Sequence, residues 1–264
     1  VVRTRAPIAH PRACIPVFPG TNCEYDTAQA LIDVGARTVS PVFRKHGPEE
    51  LRRSIAQLAR EIADSQIVVF PGGFSAGDQP DGSGKYIAAV FRAPELIDAL
   101  RDLVERRDGL VLGICNGFQA LVRMGLLPGG TTDIAAPPTV ALLPNATGRH
   151  ISTIVRTRVT STLSPWLYGV DEERDYPVPI SHGEGRFFAD AETVESLRAA
   201  GQIATQYVEY NPNGSVAAIE GVSSPDGKIL GKMAHNERIR PGLFRNVPIT
   251  DTMKLFENGV AFFR

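Results

Sequence analysis

The chain has 264 residues, of which 43% are hydrophobic and 22% are charged, and its formal net charge is -1 at pH 7. This length predicts one large domain or two small ones with a sizeable core. The chain has no basic block, and since phosphate binding needs clustered lysines and arginines, we expect no nucleic-acid partner. It also has no apolar run of membrane length and no signal-peptide pattern, so we expect no membrane partner.

Residues 1 to 12 hold three arginines and two prolines and show no clear period. They indicate either a trimmed start or a linker within a longer polypeptide. We therefore expect a linker or leader over residues 1–12 and a single domain over residues 13–264.

Short apolar runs alternate with amphipathic segments in the first half of the chain. The pattern predicts strands over 14–18, 39–43, 67–70 and 110–114, and helices over 25–34, 49–63, 94–106 and 116–124. In the second of these helices, Leu51, Ile55, Leu58 and Ile62 share one face. Strands that alternate with helices and are almost wholly apolar are typical of a parallel sheet covered on both faces.

The second half of the chain is richer in strands and turns. We predict strands over 152–160, 202–209, 215–220 and 228–233, with turn signals such as Asn211-Pro212-Asn213-Gly214 between them. The predicted fold class is α/β: an open, mainly parallel twisted sheet with helices on both faces, extended by antiparallel strands in the second half. Ligands bind such sheets at the carboxyl ends of the strands, so the loops after 67–70 and 110–114 are the first candidates for a site.

The strand at 110–114 runs into Gly113-Ile114-Cys115-Asn116-Gly117, and a helical pattern follows. This is a nucleophile elbow with cysteine as the nucleophile. The sharp turn strains the backbone of Cys115, and the small flanking glycines avoid clashes around it. The position at a helix N-terminus favours the thiolate, and the N–H of Asn116 points to where an oxyanion would form. A lone cysteine would more simply be a buried, inert thiol, and the motif by itself also admits a hydrolase or a redox sensor.

A thiol nucleophile needs a base, and the base needs a group that orients it. Among the five histidines, His235 follows an apolar, strand-like run, and Glu237 stands two positions further on. These positions face the same side of an extended backbone, so we expect the Glu237 carboxylate to reach and orient the ring. The alternative is a surface histidine beside charged neighbours.

The segment PGGFSAGD, from Pro71 to Asp78, follows the strand at 67–70. Its paired glycines let backbone N–H groups approach a ligand closely. An acyl-transfer site needs two N–H donors for the oxyanion, and Gly73 is our candidate for the second. The alternative is an ordinary glycine-rich turn.

The other two cysteines, Cys14 and Cys23, are interpreted as structural or incidental. An odd cysteine count does not make a disulfide framework in a chain of this length, and a reducing, cytoplasmic setting fits best. No CxxC pair or other cluster has metal-ligand spacing, so we expect no metal.

Three motifs occur together in the chain: PGGFSAGD, GICNGFQ and MAHNERIR. With them the chain resembles the class I (triad-type) glutamine amidotransferases. PVFPGTNCEYD, SHGEGRF and NPNGSVAAIEGVSSPDGKILGKM resemble one branch, the glutaminase part of phosphoribosylformylglycinamidine synthase. The resemblance covers residues 13–264. Relatives often have His-Pro-Glu where this chain has His235-Asn236-Glu237, and without proline we expect a less rigid turn.

The resemblance implies a role for each motif residue. Cys115 would attack the carboxamide of glutamine and form a glutamyl thioester, with His235 and Glu237 completing the triad. Gly73 and Asn116 would supply the N–H groups of the oxyanion hole. The substrate glutamine would be bound by a further set of residues, Gln119, His182, Gly183 and Glu184.

The resemblance also implies a partner. Ammonia would pass to a synthetase domain, in the same chain or a companion chain, which converts formylglycinamide ribonucleotide to formylglycinamidine ribonucleotide with ATP and magnesium. This chain has no ATP-binding pattern, so we expect no cofactor in the domain itself. The missing initial Met and the leader favour a domain fused to its synthetase.

Two other classes of function remain open. Cysteine hydrolases and chaperone-like proteins on similar sheets share an elbow cysteine, but they usually have histidine directly after it, where this chain has Asn116. A non-catalytic interaction domain would retain the fold only, and the intact Cys115, His235 and Glu237 set argues against it.

Overall fold

The computed structural model describes residues 7–77, 83–131, 138–247, 249 and 251–264. Two sequence predictions fall partly outside these residues: the first half of the expected leader, and Asp78 at the end of the glycine-rich motif.

The described residues form strands and helices with the following bounds. The strands are β1 Arg12–Cys14, β2 Arg37–Val39, β3 Ile67–Phe70, β4 Leu110–Ile114, β5 Ala141–Pro144, β6 Ile151–Val159, β7 Asp175–His182, β8 Glu184–Phe188, β9 Ile203–Val208, β10 Ile219–Ser223 and β11 Ile229–Lys232. The helices are α1 Glu24–Asp33, α2 Pro48–Ala63, α3 Lys85–Val90, α4 Pro94–Arg101, α5 Asn116–Arg123, α6 Ala191–Ala199 and α7 Leu255–Ala261. A π-helical segment, Asp102–Arg106, continues α4.

Nine of these strands form one mixed sheet in the order β2-β1-β3-β4-β11-β10-β9-β6-β7, while β5 and β8 pair separately. The strands from β2 to β11 in this order run parallel to one another. Each pair beyond β11 is antiparallel. The predicted fold class is therefore confirmed.

In the first half of the chain, β3 and β4 have the predicted bounds. The strands predicted over 14–18 and 39–43 are placed too late, because β1 ends at Cys14 and β2 ends at Val39. The strand predicted over 215–220 is wrong in its first part, because Val216–Ala218 forms a 3₁₀ turn and β10 begins only at Ile219. The pattern also missed β7, an edge strand that contains Pro177 and Pro179. Proline lacks the N–H that a ladder uses, which is why it occurs in edge strands and obscures their sequence signal.

The main hydrophobic core surrounds the parallel strands. Every residue of β3 and β4 is buried, and Phe70, Phe118 and Trp166 are among the largest fully buried side chains. Burial on both faces explains why β3 and β4 are apolar throughout. None of the helices in the described ranges has the length and hydrophobicity that crossing a bilayer requires.

Candidate active site

Three neighbouring parallel strands end at the same edge of the sheet. Phe70 of β3 pairs with Gly113 of β4, and Ile114 of β4 pairs with Lys232 of β11. The segments that follow these strand ends carry three of the sequence-predicted site residues, in chain order Gly73, Cys115 and His235. Strand pairing therefore brings distant parts of the chain to one place, at the carboxyl edge where open sheets bind ligands.

Cys115 lies in the turn from β4 to α5 and has the strained backbone that the motif predicts. Its φ of 51° and ψ of -105° lie in a region that non-glycine residues rarely adopt. The Cys115 N–H donates to the Lys232 carbonyl oxygen at 2.9 Å, and its own carbonyl accepts the Gln119 N–H at 3.0 Å. A Cβ at Gly117 would lie 2.0 Å from the carbonyl oxygen of Phe70. Glycine is therefore required at this point of the elbow.

His235 and Glu237 form the pair that the sequence predicts. Nδ1 of His235 lies 2.6 Å from Oε1 of Glu237, and both side chains are buried. A carboxylate oxygen only accepts, so the Nδ1 proton is donated to Glu237. The backbone differs from the expected extended one, because Asn236–Arg238 forms a 3₁₀ turn. The contact is made across that turn.

Two buried thiols lie beside the ring of His235. In the part of the chain that the structure describes, Nε2 has no hydrogen-bond partner of regular geometry, although the thiols of Cys115 and Cys23 both interact with the ring. Burial alone would lower the pKa of His235, but the Glu237 carboxylate and the two sulfurs outweigh it and raise the pKa well above its usual value. Contacts of this kind are often loose before substrate binds.

The glycine-rich loop after β3 packs against the loop that precedes α1. Gly73, with a φ of 144°, pairs with Thr21 in an isolated bridge. A Cβ on Gly73 would lie 2.7 Å from the Gly20 carbonyl oxygen, which instead accepts the N–H of Phe74 at 2.8 Å. This hydrogen bond and one from the Asn22 N–H to the Gly72 carbonyl oxygen, at 3.4 Å, flank the bridge, and neither of them uses the Gly73 N–H.

The side chain of Asn116 connects the elbow to that loop. Its Oδ1 accepts the Ser75 N–H at 3.3 Å, and its Nδ2 donates to Oε1 of Gln119 at 3.0 Å. Both oxyanion candidates, Gly73 and Asn116, are thus held by contacts between the same two segments.

Gln119 and Glu184 are in direct contact, as their joint assignment to a substrate pocket requires. Nε2 of Gln119 donates to the Glu184 carbonyl oxygen at 2.5 Å. The Glu184 carboxylate accepts the N–H and the hydroxyl of Ser83 at 3.0 and 3.1 Å, and it lies 3.8 Å from Nη2 of Arg123. The carboxylate of Glu184 therefore anchors the segment before α3.

His182 ends strand β7, although the sequence places it in a glycine-rich loop. Its Nδ1 lies 3.0 Å from Oδ1 of Asn145, and the backbone N–H of Asn145 donates to the Gly183 carbonyl oxygen at 2.9 Å. Burial, together with the charges of His235 and His150, lowers the pKa of His182 to about 4. The His182 imidazole is therefore neutral near pH 7.

The end of β7 also reaches the elbow. The Cys115 thiol donates toward the carbonyl oxygen of Ser181, with 3.7 Å between Sγ and the oxygen. His182 and Gly183 directly follow Ser181 in the chain, so the predicted SHGEGRF segment lies beside the cysteine.

Cys23 was missed as a site residue by the sequence interpretation. Its sulfur accepts a hydrogen bond from Nη2 of Arg238 at 2.9 Å. Among the described residues, Cys23, His235 and Glu237 present ligand atoms within 4.8 Å of one another. This donor set suits zinc, but the Arg238 guanidinium on the same sulfur opposes a cation there. Sequence spacing gives no sign of this contact, since Cys23 precedes α1 and Arg238 follows β11.

The fold and this arrangement define a class of protein, the α/β domains that have a cysteine at a nucleophile elbow in the parallel part of a mixed sheet. A family model for the CobB/CobQ-like glutamine amidotransferase domain matches residues 10–263, and the chain therefore belongs to that family.

Individual proteins are also similar to this chain over most of its length. The chain is 36% identical over 225 residues to phosphoribosylformylglycinamidine synthase subunit PurQ of Synechococcus sp., covering 84% of this chain and 85% of that one. It is 34% identical over 243 residues to the same subunit of Trichormus variabilis, covering 91% and 93%. The structure of PurLQS from Thermotoga maritima matches with a TM-score of 0.71 and 27% identity, covering 97% of this chain and 100% of that chain.

Proposed function

We propose that this domain hydrolyses glutamine to glutamate and ammonia, and that the ammonia passes to a synthetase that makes formylglycinamidine ribonucleotide. One observation carries the proposal: Cys115 meets the His235–Glu237 pair at adjacent strand ends, with the imidazole between a thiol and a carboxylate. The similarity to PurQ subunits supports the choice of pathway.

In the first half of the reaction, the sulfur of Cys115 attacks the carboxamide carbon of glutamine. The thiol proton moves to Nε2 of His235, while Glu237 holds the imidazolium in place through Nδ1. When the tetrahedral intermediate collapses, the C–N bond breaks and the leaving nitrogen takes the proton from Nε2. Ammonia departs and a glutamyl thioester remains on Cys115.

In the second half, water attacks the thioester and His235 accepts its proton. As the C–S bond breaks, His235 returns this proton from Nε2 to the sulfur of Cys115, and glutamate leaves, which restores the thiol and the neutral imidazole for the next turnover. Negative charge develops on the carbonyl oxygen in both halves. We assign its stabilisation to the N–H groups of Gly73 and Asn116, which come from the two segments that Asn116 connects.

We assign the binding of the substrate glutamine to the residues around the end of β7 and the start of α5, namely Gln119, His182, Gly183 and Glu184. The hydrogen bonds among these groups and to Asn145 and Ser83 hold this wall in place without substrate. Side chains that are held in place before the ligand binds are typical of small-molecule sites.

The partner in this proposal is a synthetase domain, in the same chain or a companion chain. The similarity to PurLQS supports it. We assign ATP and magnesium to that partner and no cofactor to this domain. We also propose that residues 13–264 are the amidotransferase domain, that residues 1–12 are a linker or leader, and that the protein acts in the cytoplasm, where its free thiols stay reduced.

The test is the replacement Cys115→Ala, assayed in the complex with the synthetase. Glutamine-dependent synthesis should fall at least ~1000-fold, as expected when a nucleophile is removed, while ammonia-dependent synthesis should continue. Cys14→Ala is the matched control, because Cys14 is buried in β1 and burial raises the pKa of its thiol far above the usual value. Normal use of glutamine by Cys115→Ala would refute the proposal.

Labelling identifies the nucleophile directly. After treatment with a chloroketone analogue of glutamine, mass spectrometry should find a single adduct on Cys115. An adduct on Cys23 instead would contradict the assignment. No adduct on any cysteine, in a protein that binds its synthetase normally, would favour the non-catalytic interaction domain.

A further inference from the structure

A buried ion pair lies directly behind the turn that carries His235 and Glu237. Lys232 and Glu220 are 0% and 1% exposed, and Nζ of Lys232 lies 3.5 Å from Oε1 of Glu220. Neither residue has a part in the proposed chemistry. Because burying two charges costs desolvation free energy, the other hydrogen bonds of this pair indicate what it holds in place.

Lys232 is directed at Asn236, the residue between the proposed base and its carboxylate. Its Nζ donates to Oδ1 of Asn236 at 2.5 Å and to the Ala234 carbonyl oxygen at 3.4 Å. Nδ2 of Asn236 donates in turn to the carbonyl oxygen of Thr252 at 3.0 Å. Both ends of the Asn236 amide are used, so the side chain cannot rotate without losing a buried hydrogen bond.

The ion pair also contacts the backbone on both sides of the site. The Lys232 carbonyl oxygen accepts the N–H of Cys115 at 2.9 Å. Oε1 of Glu220 accepts the N–H of Ala234 at 2.6 Å, directly before His235. Lys232 thus bonds to the nucleophile through its backbone and to the turn of the base through its side chain.

We propose that Lys232 and Asn236 are positioning residues, which fix the turn of His235 and Glu237 relative to Cys115. This inference rests on the proposed glutaminase function. The sequence alone indicates a less rigid turn, because proline is absent between His235 and Glu237. The two side-chain hydrogen bonds of Asn236 supply the missing restraint.

Asn236 also offers an informative replacement. It is the first residue of the 3₁₀ turn, in which the hydrogen bonds come from the N–H groups of Arg238 and Ile239. Proline at such a position fixes φ without removing a hydrogen bond of the turn. Asn236→Pro should therefore restore rigidity by another route, whereas Asn236→Ala removes it.

The experiment measures kcat and KM for glutamine in the complex with the synthetase, with kcat expressed per Cys115 that the chloroketone can titrate. Asn236→Ala should lower kcat ~10–100-fold with little change in KM, since a misplacement of about 1 Å costs rates of this order. Asn236→Pro should recover most of the loss. Asn258→Ala is the matched control, because Asn258 likewise donates to a backbone carbonyl, that of Trp166, at 3.2 Å but lies in α7.

A double replacement tests Lys232. Lys232→Met with Glu220→Gln removes both charges together, so neither is left buried and unpaired. The double variant should lower kcat by a factor similar to that of Asn236→Ala. Adding Asn236→Ala to the double variant should lower kcat little further, because the residues act through one contact. The proposal would be overturned if the loss of kcat in the triple variant equalled the product of the losses in the double variant and in Asn236→Ala.

Three further results would overturn it. The first is a parental kcat in Asn236→Ala. The second is an equal loss in Asn236→Ala and Asn236→Pro. The third is a lower melting temperature with unchanged kcat per titratable Cys115, which would show a role in stability alone. Cys115→Ala distinguishes failure of this inference from failure of the proposed glutaminase function. If Cys115→Ala is inactive with glutamine and Asn236→Ala is fully active, only the positioning role is refuted.

Discussion

His182 is expected to make the folded domain lose stability in mild acid. Its Nδ1 donates to Oδ1 of Asn145, and its Nε2 is buried with no hydrogen-bond partner among the described residues. A second proton would therefore place a charge on a nitrogen with no acceptor. The neighbouring His235, whose pKa is raised, adds a repulsive positive charge. Unfolding releases His182 from both penalties.

The size of the effect follows from the pKa difference between the two states. The pKa of His182 is about 4 in the folded protein against 6.5 for an ordinary histidine. One pKa unit corresponds to 1.36 kcal/mol, so the full penalty is about 3 kcal/mol. Because the folded-state pKa is the lower one, the unfolded chain takes up the proton first as pH falls. This contribution to stability is complete above pH 6.5, declines between 6.5 and about 4, and is gone below that.

The assay is urea-induced unfolding at a series of pH values from ~8 down to ~4, comparing the parent with His182→Gln. Glutamine can still donate to Asn145 but does not titrate, so the variant should show a free energy of unfolding that depends less steeply on pH in this window, by up to ~1.4 kcal/mol per pH unit. His46→Gln, at an exposed position, should keep the slope of the parent. Equal slopes in His182→Gln and the parent would refute the reasoning.

Two glycine replacements probe the elbow and the base. Gly117→Ala forces a Cβ to 2.0 Å from the Phe70 carbonyl oxygen and should lower the free energy of unfolding by ~3 kcal/mol or more. Gly242→Ala is the control, because no atom lies within 4 Å of the new Cβ. It should lower the free energy of unfolding only by the ~1–2 kcal/mol of a side chain on a left-handed backbone. Equal urea midpoints for Gly117→Ala and Gly242→Ala would contradict this expectation. Gly72→Ala puts a Cβ 2.8 Å from Cε1 of His235 and should lower kcat ~10–100-fold by displacing the ring, so an unchanged kcat in the glutaminase assay would exclude that contact.

The centre of the parallel half was predictable because β3 and β4 are buried on both faces. β3 and β4 read as continuous apolar runs that end at glycine-rich segments, so their bounds and the loops after them follow from the sequence. The register that pairs Ile114 with Lys232 does not follow from the sequence. Hydrophobic runs determine which segments are strands, whereas their order depends on packing across the whole core.

The pairing of His235 with Glu237 was predicted for a reason that the structure corrects. Two residues on one face of a strand would point the same way, but the segment turns at Asn236. Local spacing was sufficient to indicate the contact, because an extended strand and a 3₁₀ turn both bring the side chains of residues two positions apart within reach of each other. It could not reveal Lys232, whose side chain shapes the turn from the strand before it.

The place of Cys23 beside the site could not be predicted from the sequence. Nothing near it in the sequence indicates chemistry, and a buried thiol at the start of a helix is ordinary. Its position beside His235 depends on the packing of the loop before α1 against Gly72, whose carbonyl oxygen accepts the Cys23 N–H at 3.3 Å. Contacts made by two loops that meet only in the folded state leave no periodic signal.

The antiparallel half of the sheet accounts for the position of the base. A parallel neighbour for β4 has to enter the sheet at the correct edge, and β11 does so as the second strand of a hairpin with β10. β10 in turn pairs with β9, so the strands that follow the parallel half return the chain to the centre of the sheet. After β11 ends at Lys232, only Met233 and Ala234 precede His235. The distance between the imidazole and the Cys115 sulfur is therefore set by the docking of this hairpin, and the proposed triad exists only once both halves of the sheet have joined.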